Sequence, residues 1–273
     1  MDVQAYFDRI GFAGEARADL ATLKALHRAH LLAIPYENLD VQLGRPVTTA
    51  PEAAFDKIVS RHRGGWCYEM NGLFGAVLDA IGFSVTRLAG GVGRQMAGDE
   101  KVGNHLVLLV DLGASEEGLW IADVGFGDGA IEPFALQRGP FSQDGHAFHL
   151  EQLDGRWWRF HNHPLGGAPN FDFTLDPADP ALLAEKCHWL QTSPESGFVQ
   201  TAVAQRWRED ELLQLRGRSL TRIRDGEKRN ELIPDADAYL EVLAREFGLH
   251  LPEAATLWPR ILVRHEELFG QPA

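Results

Sequence analysis

The chain has 273 residues, with 26 Lys and Arg against 39 Asp and Glu, a formal net charge of −13 at pH 7. A 45% hydrophobic and 24% charged composition excludes disorder over the whole chain, and so acidic a protein repels phosphate backbones, which excludes a general nucleic-acid partner but not a small phosphorylated ligand in a local basic pocket. The apolar run 106–110 is far short of the roughly 20 residues of a membrane span, and the start lacks a basic-then-apolar leader, so no membrane partner and a cytoplasmic location are expected.

The first third reads mostly helical. Asp19 or Thr22 opens a helix carrying Leu20, Leu23, Leu26, His27, His30 and Leu31, which Pro35 ends. A second helix is predicted over 51–59, with Pro51 in its first turn. A third follows Gly64-Gly65: Met70, Phe74, Val77, Leu78 and Ile81 make one apolar stripe, Cys67 stands at its N-terminus, and Gly82 stops it. The pattern then changes to short apolar or alternating runs at 83–88, 105–111, 119–124, 148–153 and 157–161. Glycines and acids separate them, as in a small antiparallel barrel or sheet. A hairpin through 111–118 would join the second and third runs. Beyond Pro177 a helix is expected at 180–190, strands at 198–204 and 211–223 with a turn at Gly217, and helices at 235–247 and 252–269.

The strongest chemical signal is Arg63-Gly64-Gly65-Trp66-Cys67-Tyr68-Glu69-Met70-Asn71-Gly72. A thiol at a helix N-terminus has its thiolate stabilised by unpaired N–H groups, and the same amides can hold a developing oxyanion. A buried structural cysteine is the alternative. Cys187 has no such setting and reads as structural, and two cysteines are too few for a disulfide framework or a thiolate zinc site. A nucleophilic cysteine needs a base, and the base an orienter. His105 begins one apolar run and Asp123 ends the next, at the same end of the predicted hairpin, so they would be cross-strand neighbours. The alternatives are a hydrogen-bonded core histidine and a turn cap before Gly125. His146-x-x-His149 and His161-x-His163 lack a completing Cys or Glu cluster, so no metal is expected. Gly90-Gly91-Val92-Gly93 lacks the features of a phosphate loop and reads as a close approach of backbone to a ligand or a strand.

These motifs together resemble the arylamine N-acetyltransferase family: the Cys67 segment, Ile34-Pro35-Tyr36-Glu37-Asn38-Leu39 with Tyr36 where the family usually has Phe, Asn104-His105-Leu106, and Asp123-Val124-Gly125-Phe126-Gly127. The likeness is strong over the first half and weak beyond about Pro133. It implies an α+β fold with a transglutaminase-like cysteine-enzyme core: a helical domain at 1–84, an antiparallel β-barrel with a connecting helix at 85–190, and an α/β lid at 191–273. It implies Cys67, His105 and Asp123 as nucleophile, base and orienter. Acetyl-CoA would be the co-substrate, with no metal, in a ping-pong transfer through an acetyl-cysteine thioester to an arylamine, arylhydrazine or N-arylhydroxylamine, in xenobiotic metabolism or a biosynthetic step. Tyr36, Val92 and Phe126 would line the acceptor pocket, Val102, Gly103 and Asn104 would contact CoA, and Glu37 and Arg63 would form a buried pair. Arg94 and Lys101 are nearby cations that can meet phosphates or stay solvated. An amide synthase of the same fold acting on an aromatic polyketide, a cysteine hydrolase and a non-enzymatic binding protein are the rival readings.

Overall fold

The computed structural model describes residues 1–113 and 118–270. Of the connection expected through 111–118, residues 114–117 therefore lie outside the described residues. Among the described residues no helix is long and apolar enough to cross a membrane.

The N-terminal part is helical for local reasons. Helix α1 (Val3–Ile10) is capped by Asp2, whose carboxylate accepts the Ala5 N–H, and ends at Gly11 with φ +69°. Helix α2 (Leu20–Ala33) is capped by Asp19 through the Thr22 N–H, so Asp19 is the opener. A two-residue strand β1 (Tyr36–Glu37) and a short helix α3 (Leu39–Gln42) follow. The helix predicted over 51–59 is α4 (Pro51–Phe55) continued by a widened π-type turn at Asp56–Ser60, which leaves Lys57 buried among three carboxylates. Helix α5 (Cys67–Ile81) runs from the nucleophile candidate to Gly82 at φ +108°.

Strand β2 (Ser84–Val92) is longer than the run 83–88, because Gly90 and Gly91 leave room for neighbouring chains on both sides. Helix α6 (Arg94–Ala97) and strands β3 (His105–Asp111), β4 (Leu119–Ala122), β5 (Phe134–Ala135), β6 (Gly139–Gln143), β7 (His146–Gln152), β8 (Trp158–His161) and β9 (Asn170–Phe173) complete the middle of the chain. They build one antiparallel sheet in the order β5-β4-β3-β2-β9-β8-β7-β6. The sheet curls until its two edge strands meet through side chains: Phe134 of β5 stacks on Phe141 of β6, centroids 4.9 Å apart. Its interior is aromatic, with Phe148, Phe160, Phe171 and Phe173 buried beside Leu88, Val107 and Ile121. Its outer side at β3 and β4 packs Leu108, Val110 and Ala122 against Phe74, Val77 and Leu78 of α5. Strand β3 is buried on both faces, which is why 106–110 reads as an unbroken apolar run.

The last third holds helices α7 (Pro180–Thr192) and α8 (Gly197–Gln200), strands β10 (Val203–Trp207), β11 (Leu212–Arg216), β12 (Ser219–Arg224) and β13 (Glu227–Leu232), and helices α9 (Ala236–Phe247) and α10 (Trp258–Phe269). The strand expected at 198–204 is corrected: Ser196 caps α8 through the Phe198 N–H, and Asn38 Nδ2 donates to the carbonyls of Phe198 and Thr201, so extended chain begins only at Val203. The helix expected at 252–269 starts as a 3₁₀ turn, Pro252–Leu257. The second sheet has the order β1-β10-β11-β12-β13. Strand β1 comes from the N-terminal part, so the sheet joins the two ends of the chain. One sheet face, with Ala204, Leu213, Leu215 and Leu220, is buried under Tyr239, Leu243 and Phe247 of α9 and Trp258 and Ile261 of α10.

Candidate active site

The loop before α5 is shaped by its glycines. A side chain at Gly64 would collide with the Pro35 carbonyl, and one at Gly65 would sit 2.8 Å from Glu69 Cβ. Gly65 pairs with β1, Glu37 N–H donating to its carbonyl at 2.9 Å. Beneath the loop lies a buried charge cluster. The Arg63 guanidinium is 2.7 Å from Glu37 and 3.3 Å from Asp40, while Lys57 Nζ is 2.9 Å from Glu69, 3.0 Å from Asp40 and 3.8 Å from Glu37. The expected Glu37–Arg63 pair is thus two members of a five-residue set. Burial works to lower the Lys57 ammonium pKa, and the three carboxylates more than restore it. Glu69 Oε2 also accepts the Trp66 N–H at 3.3 Å, which fixes the first turn of α5.

Cys67 is the first residue of that turn and is 3% exposed. Its Sγ points at the Asn104 carbonyl, 3.9 Å away. The register of β3 and β4 pairs Leu108 with Ala122, so Asp123, the residue after β4, lies diagonally across from His105 rather than directly opposite. Strand β4 stops at Ala122, one residue before the carboxylate. His105 Nε2 and Asp123 Oδ2 are 2.7 Å apart and both residues are buried. This contact leaves the imidazole Nδ1 for the thiol. Burial works to lower the His105 pKa, but the Asp123 charge and hydrogen bond, with the Cys67 thiol beside the ring, lift it to about 10. Asp123 is in turn held below the ordinary carboxylate range: burial would raise it, and the His105 contact, Asn71 and the Gly125 N–H outweigh burial.

Asn71, one helical turn after Cys67, ties three segments together. Its Nδ2 donates to Asp123 Oδ1 at 2.7 Å and to the Leu106 carbonyl at 2.6 Å, and its Oδ1 accepts the Val124 N–H at 2.9 Å. His27 supports the same corner. Its Nε2 accepts the Asp123 N–H at 3.1 Å, so its Nδ1 is the donor to the Ile131 carbonyl at 2.9 Å, and the ring is neutral with a pKa lowered by burial to about 4. Asn71 appears in the sequence motif without a role, and only its spacing of four from Cys67 points to it.

A cavity of about 840 Å³ opens over Cys67 and His105. Tyr36, Val92 and Phe126 line it. Phe126 lies 5.5 Å from the His105 ring and 5.1 Å from Phe171. Of the three residues expected to contact CoA, Asn104 is on the wall and clasps Val92, donating to its carbonyl and accepting its N–H. Val102 and Gly103 are not part of that wall; Gly103 backs onto Leu182 and Lys186 of α7 and accepts the Tyr68 hydroxyl at 2.6 Å. The wall also holds Asp128, which the sequence reading passed over between its two glycines. Burial raises its pKa to about 6, against hydrogen bonds from the Gly167 N–H, Asn162, Gln205 and Gln214.

The remaining polar residues of interest have partners of their own. Arg94 is held by Asp99 and Asp172 and stacks on Trp157, and Lys101 pairs with Glu100. Cys187 is a buried free thiol against the Val47 carbonyl, with its pKa pushed up by burial to about 12. The His146 and His163 rings pack on each other and on Trp207, while His161 pairs with Glu151.

The N-acetyltransferase family model matches residues 19–256. The arylamine N-acetyltransferase of Mycolicibacterium smegmatis is 35% identical over 270 residues, covering 93% of this chain and 94% of that one. A Salmonella typhimurium protein described as arylamine N-acetyltransferase / N-hydroxyarylamine O-acetyltransferase is 32% identical over 256 residues, 90% of this chain and 88% of its own. Among solved structures, the Mycobacterium marinum arylamine N-acetyltransferase in complex with CoA superposes with a TM-score of 0.86 at 31% identity, over 97% of this chain and 99% of that one. With the family model spanning most of the chain and relatives alike from end to end, the chain belongs to the arylamine N-acetyltransferase family.

Proposed function

We propose that this protein is an acetyl-CoA-dependent arylamine N-acetyltransferase in which Cys67 is the nucleophile, His105 the proton carrier and Asp123 its orienter. The observation that carries the reading is the 2.7 Å contact of His105 with Asp123 at the base of the cavity that also exposes Cys67. An imidazole whose pKa sits near 10 is a cation at neutral pH, suited to stand beside a thiolate. The thiolate attacks the acetyl carbonyl carbon of acetyl-CoA. The C–S bond to CoA breaks, the departing CoA sulfur takes the proton from His105, and the acetyl group stays on Cys67 as a thioester. An arylamine or arylhydrazine nitrogen then attacks that carbonyl. The Cys67 sulfur leaves as thiolate, and the proton lost by the nitrogen returns to His105, restoring the starting state. The same thioester passed to an N-arylhydroxylamine oxygen gives O-acetylation. Tyr36, Val92 and Phe126 offer the acceptor ring an apolar seat.

The division at 1–84, 85–190 and 191–273 belongs to this proposal: the first part supplies the thiol, the second the base and orienter, and the third closes the cavity. A cytoplasmic setting goes with it, since both cysteines are free thiols and the co-substrate is a coenzyme A thioester.

Intact-mass measurement after acetyl-CoA alone, beside a Cys67→Ala control, tests the reading. The expected result is one added acetyl group on the wild type only, lost on adding an aromatic amine or hydrazine. Acetyl-CoA consumed without any amine would turn the reading to a hydrolase, and a folded protein that takes no acetyl group would remove acetyl-CoA as donor.

A further inference from the structure

Among the described residues the C-terminal sheet has one open edge. At its other edge β1 is bridged to Gly65, and the rim of the curled sheet is closed by side chains. Strand β13 pairs with β12 along its whole length, from Arg224 opposite Glu227 to Ser219 opposite Leu232, and all six of its residues are exposed. Edges of this length are ordinarily blunted by a proline, a bulge or charges of one sign. Strand β13 has no proline and its ladder has no bulge. Its acids, Glu227 and Glu231, balance Lys228 and Arg229, so the strand is neutral on a chain of net charge −13.

The bonding pattern of the β12–β13 hairpin decides which backbone groups point outward. Asp225 and Gly226, at φ +52° and +76°, make a two-residue turn, so Arg224 and Glu227 close it as a hydrogen-bonded pair. At the far end the Ile233 N–H donates to the Arg218 carbonyl at 2.9 Å. Bonded and non-bonded pairs alternate in an antiparallel ladder. The odd-numbered residues of β13 therefore bond to β12, while Lys228, Asn230 and Leu232 hold their N–H and C=O groups outward. A second copy added antiparallel must match outward residues with outward residues, so a two-fold axis passes through a residue and never between two. An axis at Lys228, Arg229 or Glu231 sets that charge against its own copy, and the one at Arg229 adds Glu227 against Glu231. An axis at Asn230 instead sets Arg229 opposite the partner's Glu231, twice, in the non-bonded pairs where side chains come closest. It also sets Lys228 opposite the partner's Leu232, which is 53% exposed in the single chain and would lie under the methylene stem of the lysine.

We propose that β13 is a dimerisation edge: two copies of this chain pair antiparallel about a two-fold axis at Asn230, and their five-stranded sheets continue as one. The occupant is a second copy because the strand is complementary to itself in that register. Glu231 is in no ion pair among the described residues, and Arg229 has only a loose contact with Glu227 at 3.6 Å, so both are free to change partner. The axis stands normal to the sheet. Arg229 and Glu231 meet their partners on the face that packs α9 and α10, since Glu231 neighbours Leu220. Lys228 and Asn230, which line the cavity, are continued on the other face by the partner's Leu232 and Asn230. The two cavities thus open on the same side of one sheet. About six backbone hydrogen bonds form, and a joint one strand wide is small, which makes a reversible dimer with a Kd on the order of 10–100 µM.

Sedimentation velocity of the full chain from about 5 µM to about 500 µM tests it, beside Arg229→Glu, Glu231→Arg and the double variant that carries both changes. The expected result is a monomer–dimer equilibrium in the wild type. Either single reversal sets two like-charged pairs across the axis and should raise the Kd about tenfold or more, and the double variant should return to within about threefold of wild type. An equimolar mixture of the two single variants should also dimerise, because each supplies the charges that the other lacks. All variants should melt as the wild type does under dilute conditions, since both residues are exposed. Amide hydrogen exchange locates the contact: protection of the Lys228, Asn230 and Leu232 N–H groups should rise with protein concentration. A wild type that stays monomeric throughout overturns the proposal. So does a dimer whose Kd neither reversal moves, or one in which those three amides exchange as freely as in the monomer. Single reversals that weaken the dimer, with no recovery in the double variant or the mixture, overturn the register by showing that the two charges do not face each other.

Discussion

Asp123 is bound from several sides at once: by His105 at one oxygen, by Asn71 and the Gly125 N–H at the other, and by His27 at its backbone N–H. Its charge is what offsets the desolvation of the His105 ring. Asp123→Asn keeps the shape and removes the charge. The expected outcome is acetyl transfer slowed by about 10³-fold or more, with a protein that still unfolds cooperatively. The rate of Cys67 alkylation against pH separates the causes: its profile shifts if Asp123 acts through the imidazolium, and stays in place if the residue merely packs. His105 and Asp123 were legible in the sequence because one begins an apolar run and the other ends the next, and a buried charge there must have a purpose. Asn71 left only its spacing of four from Cys67, and Asp128 left no trace. Their partners lie on other segments, and an amide beside a cysteine or an aspartate between glycines has too many ordinary explanations.

The helix that carries Cys67 and the turn that follows β4 touch with no space between them. A Cβ on Gly125 would fall 2.7 Å from Cys67 Cα and 2.6 Å from Asn71 Nδ2. Gly125→Ala must therefore push the helix start away from the Asp123 corner. Overpacking of this kind costs about 1–3 kcal/mol. The expected outcome is a lowered Tm together with an acetylation rate of Cys67 that falls further than stability alone accounts for; burst kinetics with acetyl-CoA measure it. Legibility at this scale followed periodicity. Helices α2 and α5 were readable because start, stripe and stop agree within each segment, Asp19 and Pro35 bounding one and Gly64-Gly65 and Gly82 the other. Strand β1 was not, since two residues have no period and its existence depends on β10, far along the chain. Strand β13 was missed for another reason: an edge strand exposed along its whole length has no apolar alternation to display.

The buried titratable groups of the whole molecule pull its stability in opposite directions with pH. His27 and His163 have pKa values lowered from 6.5 to about 4, burial being the main cause in each. Between those values the unfolded chain binds protons that the folded chain refuses. Each therefore contributes stability that is complete above pH 6.5 and lost as the pH falls towards 4. Asp128 has the opposite sign. Its pKa is raised from 3.8 to about 6, so the folded chain binds a proton in that window that the unfolded chain releases, and stability from this group grows as the pH falls. On the alkaline side, His105 is raised from 6.5 to about 10, so its contribution is full below pH 6.5 and fades as the pH rises through 10. Tm measured from pH 7 to pH 4 should fall less steeply in His27→Gln than in the wild type and more steeply in Asp128→Asn. Parallel curves for all three would show that these groups do not titrate as described. None of this was readable from the sequence, which lists eleven histidines without saying which are dry.

The curled sheet is closed at its edges by side chains, the stacked rings of Phe134 and Phe141 and the Gln143 amide clasping the Glu132 backbone, whereas its inner strands are joined by backbone ladders. Ring contact has no direction and no register, and Pro140 removes one amide from the β6 edge altogether. A cleft of about 420 Å³ lined by Trp120, Phe134, Pro140 and Phe141 already runs beside this seam. The barrel thus has a built-in line of opening. Amide hydrogens along β5 and β6 exchange with solvent by local breathing, while those of β2 and β3, paired on both sides, wait for the molecule to unfold as a whole. The strand that holds His105 is thereby kept at the slow-exchanging centre of a sheet whose looseness is confined to its rim.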